Sequence, residues 1–136
     1  MTIEDSLKGA VELIALAKEQ REAGRLSQAL ISLQTARMMT DCDLVVRELA
    51  ELASASGKLR QAIAAYRRLL RRWPADAARI RYNIASLYRQ LGHTTRARWW
   101  FEQLLTAPDA TPILKAAATT ALAALDDPSR REAARP

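Results

Sequence analysis

EAGRLSQAL (Glu22–Leu30), SASGKLRQAI (Ser54–Ile63) and QLGHTTRAR (Gln90–Arg98) are three spellings of one turn. Each places a glycine (Gly24, Gly57, Gly92) five residues ahead of an alanine (Ala29, Ala62, Ala97). The glycines lie 33 and 35 residues apart. Glycine stops a helix because it takes the left-handed conformation without steric penalty. The following alanine leaves room for a second helix to lie close against the first. A period of about 34 residues built from two helical halves is the mark of a stacked helix-pair array. One pair cannot bury its own apolar face, so neighbouring pairs stack and share a core. A bowed stack leaves a groove, and a groove is a place to hold another polypeptide.

Working outward from the turns, the sequence predicts seven helices. Thr2 and Asp5 read as a capping box that opens the first, which runs to about Ala23. The second spans about Ser27–Met39, and TDCD (Thr40–Asp43) supplies a turn and a new cap. The third spans about Leu44–Ala55. The fourth, about Leu59–Arg72, stops at Trp73-Pro74, where proline lacks a donor and restricts its predecessor. The fifth and sixth span about Ala77–Leu91 and Thr95–Thr106. The seventh opens near Pro112 and fades around Asp127-Pro128. It offers Ile113, Leu114, Ala117, Ala121, Leu122 and Leu125 to cover the open edge of the last pair. The expectation is one all-α domain over 1–128, an α-solenoid of three antiparallel helix pairs closed by a capping helix at about 112–126. Residues 129–136, charged and small, are expected to fray.

Composition narrows the function classes. The chain has 136 residues, is 49% hydrophobic and carries a formal charge of +6, mostly as arginine. That excess suits anionic partners, since the planar guanidinium binds carboxylate or phosphate through two parallel bonds. The start, MTIEDSLKGAVELIALAKEQ, has Glu4 and Asp5 where a leader would be basic, and charge at Lys8, Glu12 and Lys18 interrupts its apolar residues. It reads as an amphipathic helix, not an export signal or a membrane span. With Cys42 as the single cysteine, no internal disulfide can form, and a reducing, cytoplasmic setting fits.

Beyond the glycine and alanine, the repeated positions resemble the tetratricopeptide repeat. Counted with each glycine at position 15, the repeats cover about 10–42, 43–77 and 78–111. The family wants a large residue at position 7, a small one at 8 and alanine at 20. The chain has Leu16, Ala17 and Ala29, then Leu49, Ala50 and Ala62, then Ile84, Ala85 and Ala97. Position 24, large or aromatic, is Leu33, Tyr66 and Phe101. Position 11 departs at Gln20 and Ala53 and fits only at Tyr88. Proline at position 32 is present as Pro74, slips to Pro108, and is replaced by Asp41 in the first repeat.

The resemblance implies a binding surface on the first helix of each pair. Carried over position by position, the peptide-binding groove would draw on Ile14, Lys18 and Arg21, then Leu44, Arg47 and Glu51, then Arg79, Tyr82, Ser86 and Arg89. Some family members clamp a terminal carboxylate with lysine and asparagine. Here Ile14, Lys18, Glu48 and Asn83 depart from that pattern and only Arg79 agrees. In size and repeat number the chain also resembles bacterial secretion chaperones built on this repeat.

Nothing in the sequence points to catalysis. His93 is the single histidine and falls in a turn. There is no glycine-rich phosphate loop, and no cluster has metal-ligand spacing. No catalytic residue, metal or cofactor is assigned. The expected role is an adaptor, scaffold or small chaperone for another protein or peptide, with acidic segments favoured. Two other readings follow from particular residues. Trp99 and Trp100 precede the core Phe101, and neighbours in a helix cannot all face inward; a projecting indole would make a second interface, including a homodimer. RRLLRRW (Arg67–Trp73) and the net charge allow a nucleic-acid associate, which the lack of a base-reading motif disfavours.

Overall fold

A computed structural model describes residues 2–127 of the chain. It holds α1 (Ile3–Glu22), α2 (Leu26–Met39), α3 (Asp43–Ala55), α4 (Leu59–Arg72), α5 (Ala77–Gln90), α6 (Thr94–Leu105) and α7 (Pro112–Asp126), with no strand among the described residues. Each helix end falls within a residue of its sequence-based expectation. The expected fray of 129–136 lies outside the described residues.

The three turns have one backbone design. Gly24, Gly57 and Gly92 all sit at positive φ, 79°, 75° and 79°. In each turn the glycine N–H donates three residues back, to Arg21, Ser54 and Arg89. The next N–H donates five residues back: Arg25 to Gln20 at 2.7 Å, Lys58 to Ala53 at 2.9 Å, and His93 to Tyr88 at 2.9 Å. This pair of bonds is the Schellman closure, which satisfies orphan carbonyls at a helix end. The carbonyls of Arg25, Lys58 and His93 then accept from Ala29, Ala62 and Ala97, each at 3.0 Å. One residue therefore closes one helix and opens the next. The five-residue step from glycine to alanine is one residue to the hinge plus the four spanned by the bond that opens the next helix.

The chain divides within α4 into two compact units, the first ending at Leu69 and the second beginning at Leu70. In the first unit α2 packs against both α1 and α3. Its core gathers Ala10, Ile14 and Ala17 of α1 with Ala29, Leu30 and Leu33 of α2. A polar bond crosses this pair: Ser32 Oγ donates to Gln20 Oε1 at 2.8 Å. It occupies the level where the repeat pattern wants a large apolar residue, and it satisfies the buried hydroxyl. Arg68 of α4 pairs with Asp41 in the α2–α3 turn. Cys42 holds the N-cap position of α3 without a side-chain bond, and TDCD caps less than its composition suggests.

In the second unit α6 packs between α5 and α7. Phe101 and Leu104 of α6 are wholly buried with Ile84 and Ala85 of α5. The expected face of α7 is kept at Leu114, Ala117, Ala121, Leu122 and Leu125, all buried or half-buried, and is lost only at Ile113. Ala118, Ala121 and Leu125 face inward, whereas Ile113, beside the proline at the first turn, is exposed. Thr111 caps this helix by accepting from Leu114 N–H at 3.2 Å.

The start of α5 is capped from a distance. Asp76 holds the N-cap position in a left-handed conformation, φ 61°, and makes no cap bond with its side chain. Asp109, in the α6–α7 turn, supplies the missing acceptor: its Oδ2 takes the Ala78 N–H at 2.9 Å. A carboxylate there also suits the positive end of the helix dipole. Asp109→Ala is expected to lower stability by about 1 kcal/mol, as loss of an N-cap does, in urea denaturation followed by circular dichroism. Asp109→Asn, which keeps the acceptor, should recover most of that.

Candidate functional site

In the first unit the candidate residues lie on α1 and α3, which touch. Buried residues on α1 recur at 10, 14 and 17, a single helical stripe. That stripe takes Ile14 into the core, where it is only 6% exposed. Ile14 was expected to line the groove and Leu16 to fill the core; the two have exchanged places, and Leu16 is 42% exposed. The cause is α2, whose Leu30 and Leu33 meet the Ala10–Ile14–Ala17 stripe. Lys18 and Arg21 are exposed as expected. Lys18 Nζ lies 3.7 Å from Glu48 Oε1 of α3, so two of the four departures from the carboxylate-clamp pattern pair with each other. Such a partly exposed pair contributes little to stability. Leu44 at the start of α3 is 46% exposed and Glu51 is exposed, whereas Arg47 is half-buried.

In the second unit the candidate residues form one face of α5. Arg79, Tyr82, Ser86 and Arg89 follow spacings of three, four and three, which keep them on a common side. Arg79 and Arg89 are exposed; Tyr82 and Ser86 are half-buried. Behind them stands Phe101 of α6. The Tyr82 ring meets it edge-on, with centroids 5.7 Å apart and planes at 68°. Arg89 Cζ lies 6.0 Å from the Phe101 centroid. Both geometries are attractive, the first between ring edge and face, the second between cation and π-face. A similar arrangement lies further along α5, where Arg96 sits over Tyr88, 5.8 Å from its centroid, and His93 stacks on that ring. The single histidine is therefore part of the turn's packing.

On α6, Trp99 is 52% exposed and its ring meets Trp100 edge-on at 5.0 Å. Trp100 is half-buried. Arg98, between Ala97 and Trp99, pairs with Asp126 of α7. Among the described residues, no group of three or more His, Cys, Asp or Glu could hold a metal, and no helix is long and apolar enough to cross a membrane.

Residues 47–112 match the family model of the tetratricopeptide repeat. The match starts inside α3 and leaves out α1 and α2, the pair in which Ile14 and Leu16 depart from the pattern. No curated protein sequence matches the chain. Solved structures do. PcrH from Pseudomonas aeruginosa superimposes with a TM-score of 0.66 at 24% identity, over 87% of this chain and 92% of PcrH. PcrH in complex with the chaperone binding region of PopD gives 0.67 at 25% identity, over 90% and 92%. Its complex with the chaperone binding region of PopB gives 0.61 at 24%, over 82% and 92%. The fold is thus that of a helical tetratricopeptide-repeat protein.

Sequence reasoning missed two contributors to these faces. Phe101 was read as a core residue only, and its part as a platform for Tyr82 and Arg89 depends on how α5 and α6 cross. Asp109 lies 31 residues from the amide it caps, and no local pattern marks it.

Proposed function

We propose that this protein is a binding module for other polypeptides, an adaptor or small chaperone that holds a partner segment on the exposed faces of its first helices. The observation that carries the reading is the α5 face. There, two exposed arginines, a tyrosine and a serine share one side of the helix, and the tyrosine and one arginine rest on a buried aromatic. Arginine and tyrosine are the side chains that most often anchor interfaces. PcrH, similar in fold over nine-tenths of its length, has been crystallised with chaperone binding regions of PopD and PopB. Its example supports a segment of another protein as the ligand class. The positive charge favours acidic segments. Binding, not catalysis, and a cytoplasmic setting complete the proposal.

Capture from extracts of the source cell tests it. Leu44→Asp on α3 and Arg79→Glu on α5 are both exposed and should leave the helical spectrum unchanged. Each is expected to weaken the captured partner at least about tenfold, or about 1.4 kcal/mol, measured by calorimetry with the purified partner. A partner bound equally by both variants would place the contact elsewhere. Exposed Trp99 favours one further reading, self-association through α6. Equal solution mass of wild type and of a Trp99→Ala, Trp100→Ala variant, both monomeric, would remove it.

A further inference from the structure

We infer that α5 selects partners by a pair of carboxylates set four residues apart in an extended segment. The inference rests on the proposed peptide-binding reading and assigns the acidic preference to one helix. α5 contains Arg79, Arg81 and Arg89 and no acidic residue. The side chains of Arg79, Tyr82, Ser86 and Arg89 make no hydrogen bond or ion pair among the described residues. Two acidic residues stand at the start of α5: Asp76 holds its N-cap position, and Asp109 is spent on the Ala78 amide. The face therefore presents two guanidinium groups and two hydroxyls with open bonding capacity.

Spacing turns this into a specificity. Arg79 and Arg89 are ten positions apart, a rise of about 15 Å along a helix. No single carboxylate reaches both. An extended segment advances about 3.3 Å per residue and points alternate side chains to one side. Residues four apart then share a side and stand about 13 Å apart, within the reach of long arginine side chains. Between the two cations, the Tyr82 and Ser86 hydroxyls can bond to the segment's backbone. Phe101 fixes one end of the ruler: it holds Tyr82 by edge contact and the Arg89 guanidinium over its face, so less side-chain freedom is lost when a carboxylate arrives. Phe101 is a positioning residue and does not touch the ligand.

The test uses the full chain and three synthetic peptides of equal length. One carries two glutamates four residues apart, one carries them adjacent, and one has glutamine in place of both. Binding is followed by amide and arginine Nε chemical shifts in two-dimensional NMR at low salt. The spaced peptide is expected to shift α5 signals and the Arg79 and Arg89 Nε signals, to bind several-fold tighter than the adjacent one, and to weaken as salt screens the pairs. The glutamine peptide should leave α5 unmoved. Arg89→Gln should abolish the preference for spaced over adjacent glutamates. Equal binding of spaced and adjacent peptides, or shifts confined to α4 arginines such as Arg60 and Arg67, overturns the inference. A captured partner lost by Leu44→Asp but retained in full by Arg89→Gln also overturns it, while leaving the binding reading intact. Loss of that reading would show instead as a partner indifferent to Leu44→Asp.

Discussion

Replacing Phe101 with alanine is expected to destabilise the protein by about 3–5 kcal/mol, the range for removing a buried aromatic. Phe101 is wholly buried in α6, and α5 lies across it. Tyr82 and Arg89 are the α5 residues that rest on the ring. Alanine would leave a void bounded by two helices whose spacing is already set by Ala85 and Ala97, both without exposed surface. Those helices cannot close in, so both the lost burial and the cavity count against the variant. Single domains are commonly stable by only about 5–15 kcal/mol, so most of the folded population's margin would go. Urea denaturation measures it. Phe101→Leu, which refills most of the volume, should lose much less. Equal losses in the two variants would mean that packing volume is not what the ring supplies.

Ala29→Leu is the second large effect, about 1–3 kcal/mol of overpacking. Ala29 has no exposed surface and lies in the cluster with Ile14 and Ala17. Its N–H makes the bond to Arg25 that opens α2. A longer side chain there must push α1 and α2 apart within a turn of the bend that joins them, where the backbone has least freedom to shift. Ala15→Leu makes the same chemical change at an exposed position of α1 and should be nearly neutral. Matching melting temperatures for the two variants would show that close helix approach at Ala29 is not required.

The repeat was legible because its signals are local. Gly24, Gly57 and Gly92 need positive φ, and Ala29, Ala62 and Ala97 sit at a fixed step from them, so a short window contains both demands. Helix ends followed for the same reason. What could not be read was rotation about a helix axis. Ile14 and Leu16 are two residues apart and nearly opposite on α1; which of them turns inward was settled by the partners on α2, which no pattern within α1 reveals. In α7 the face was read correctly except at its first turn, where Ile113 is exposed. Of the candidate site, the residues of α5 were identifiable from repeat position. Their support by Phe101, and the cap from Asp109, depend on contacts between segments far apart in the chain.

At the three bends the hydrogen bonds are all main-chain: Arg25, Lys58 and His93 each give an N–H and a carbonyl to the hinge, and the His93 ring also stacks on Tyr88. Their side chains differ completely, as cations of two kinds and an imidazole, yet the corners superpose in bonding. The corners at Arg25 and Lys58, whose side chains take no part in the hinge bonding, are thus free for outward chemistry. A fluorophore, a cross-linker or an affinity handle attached through cysteine at position 25 or 58 would report on partners arriving at that end of the molecule while the architecture stays indifferent to the label.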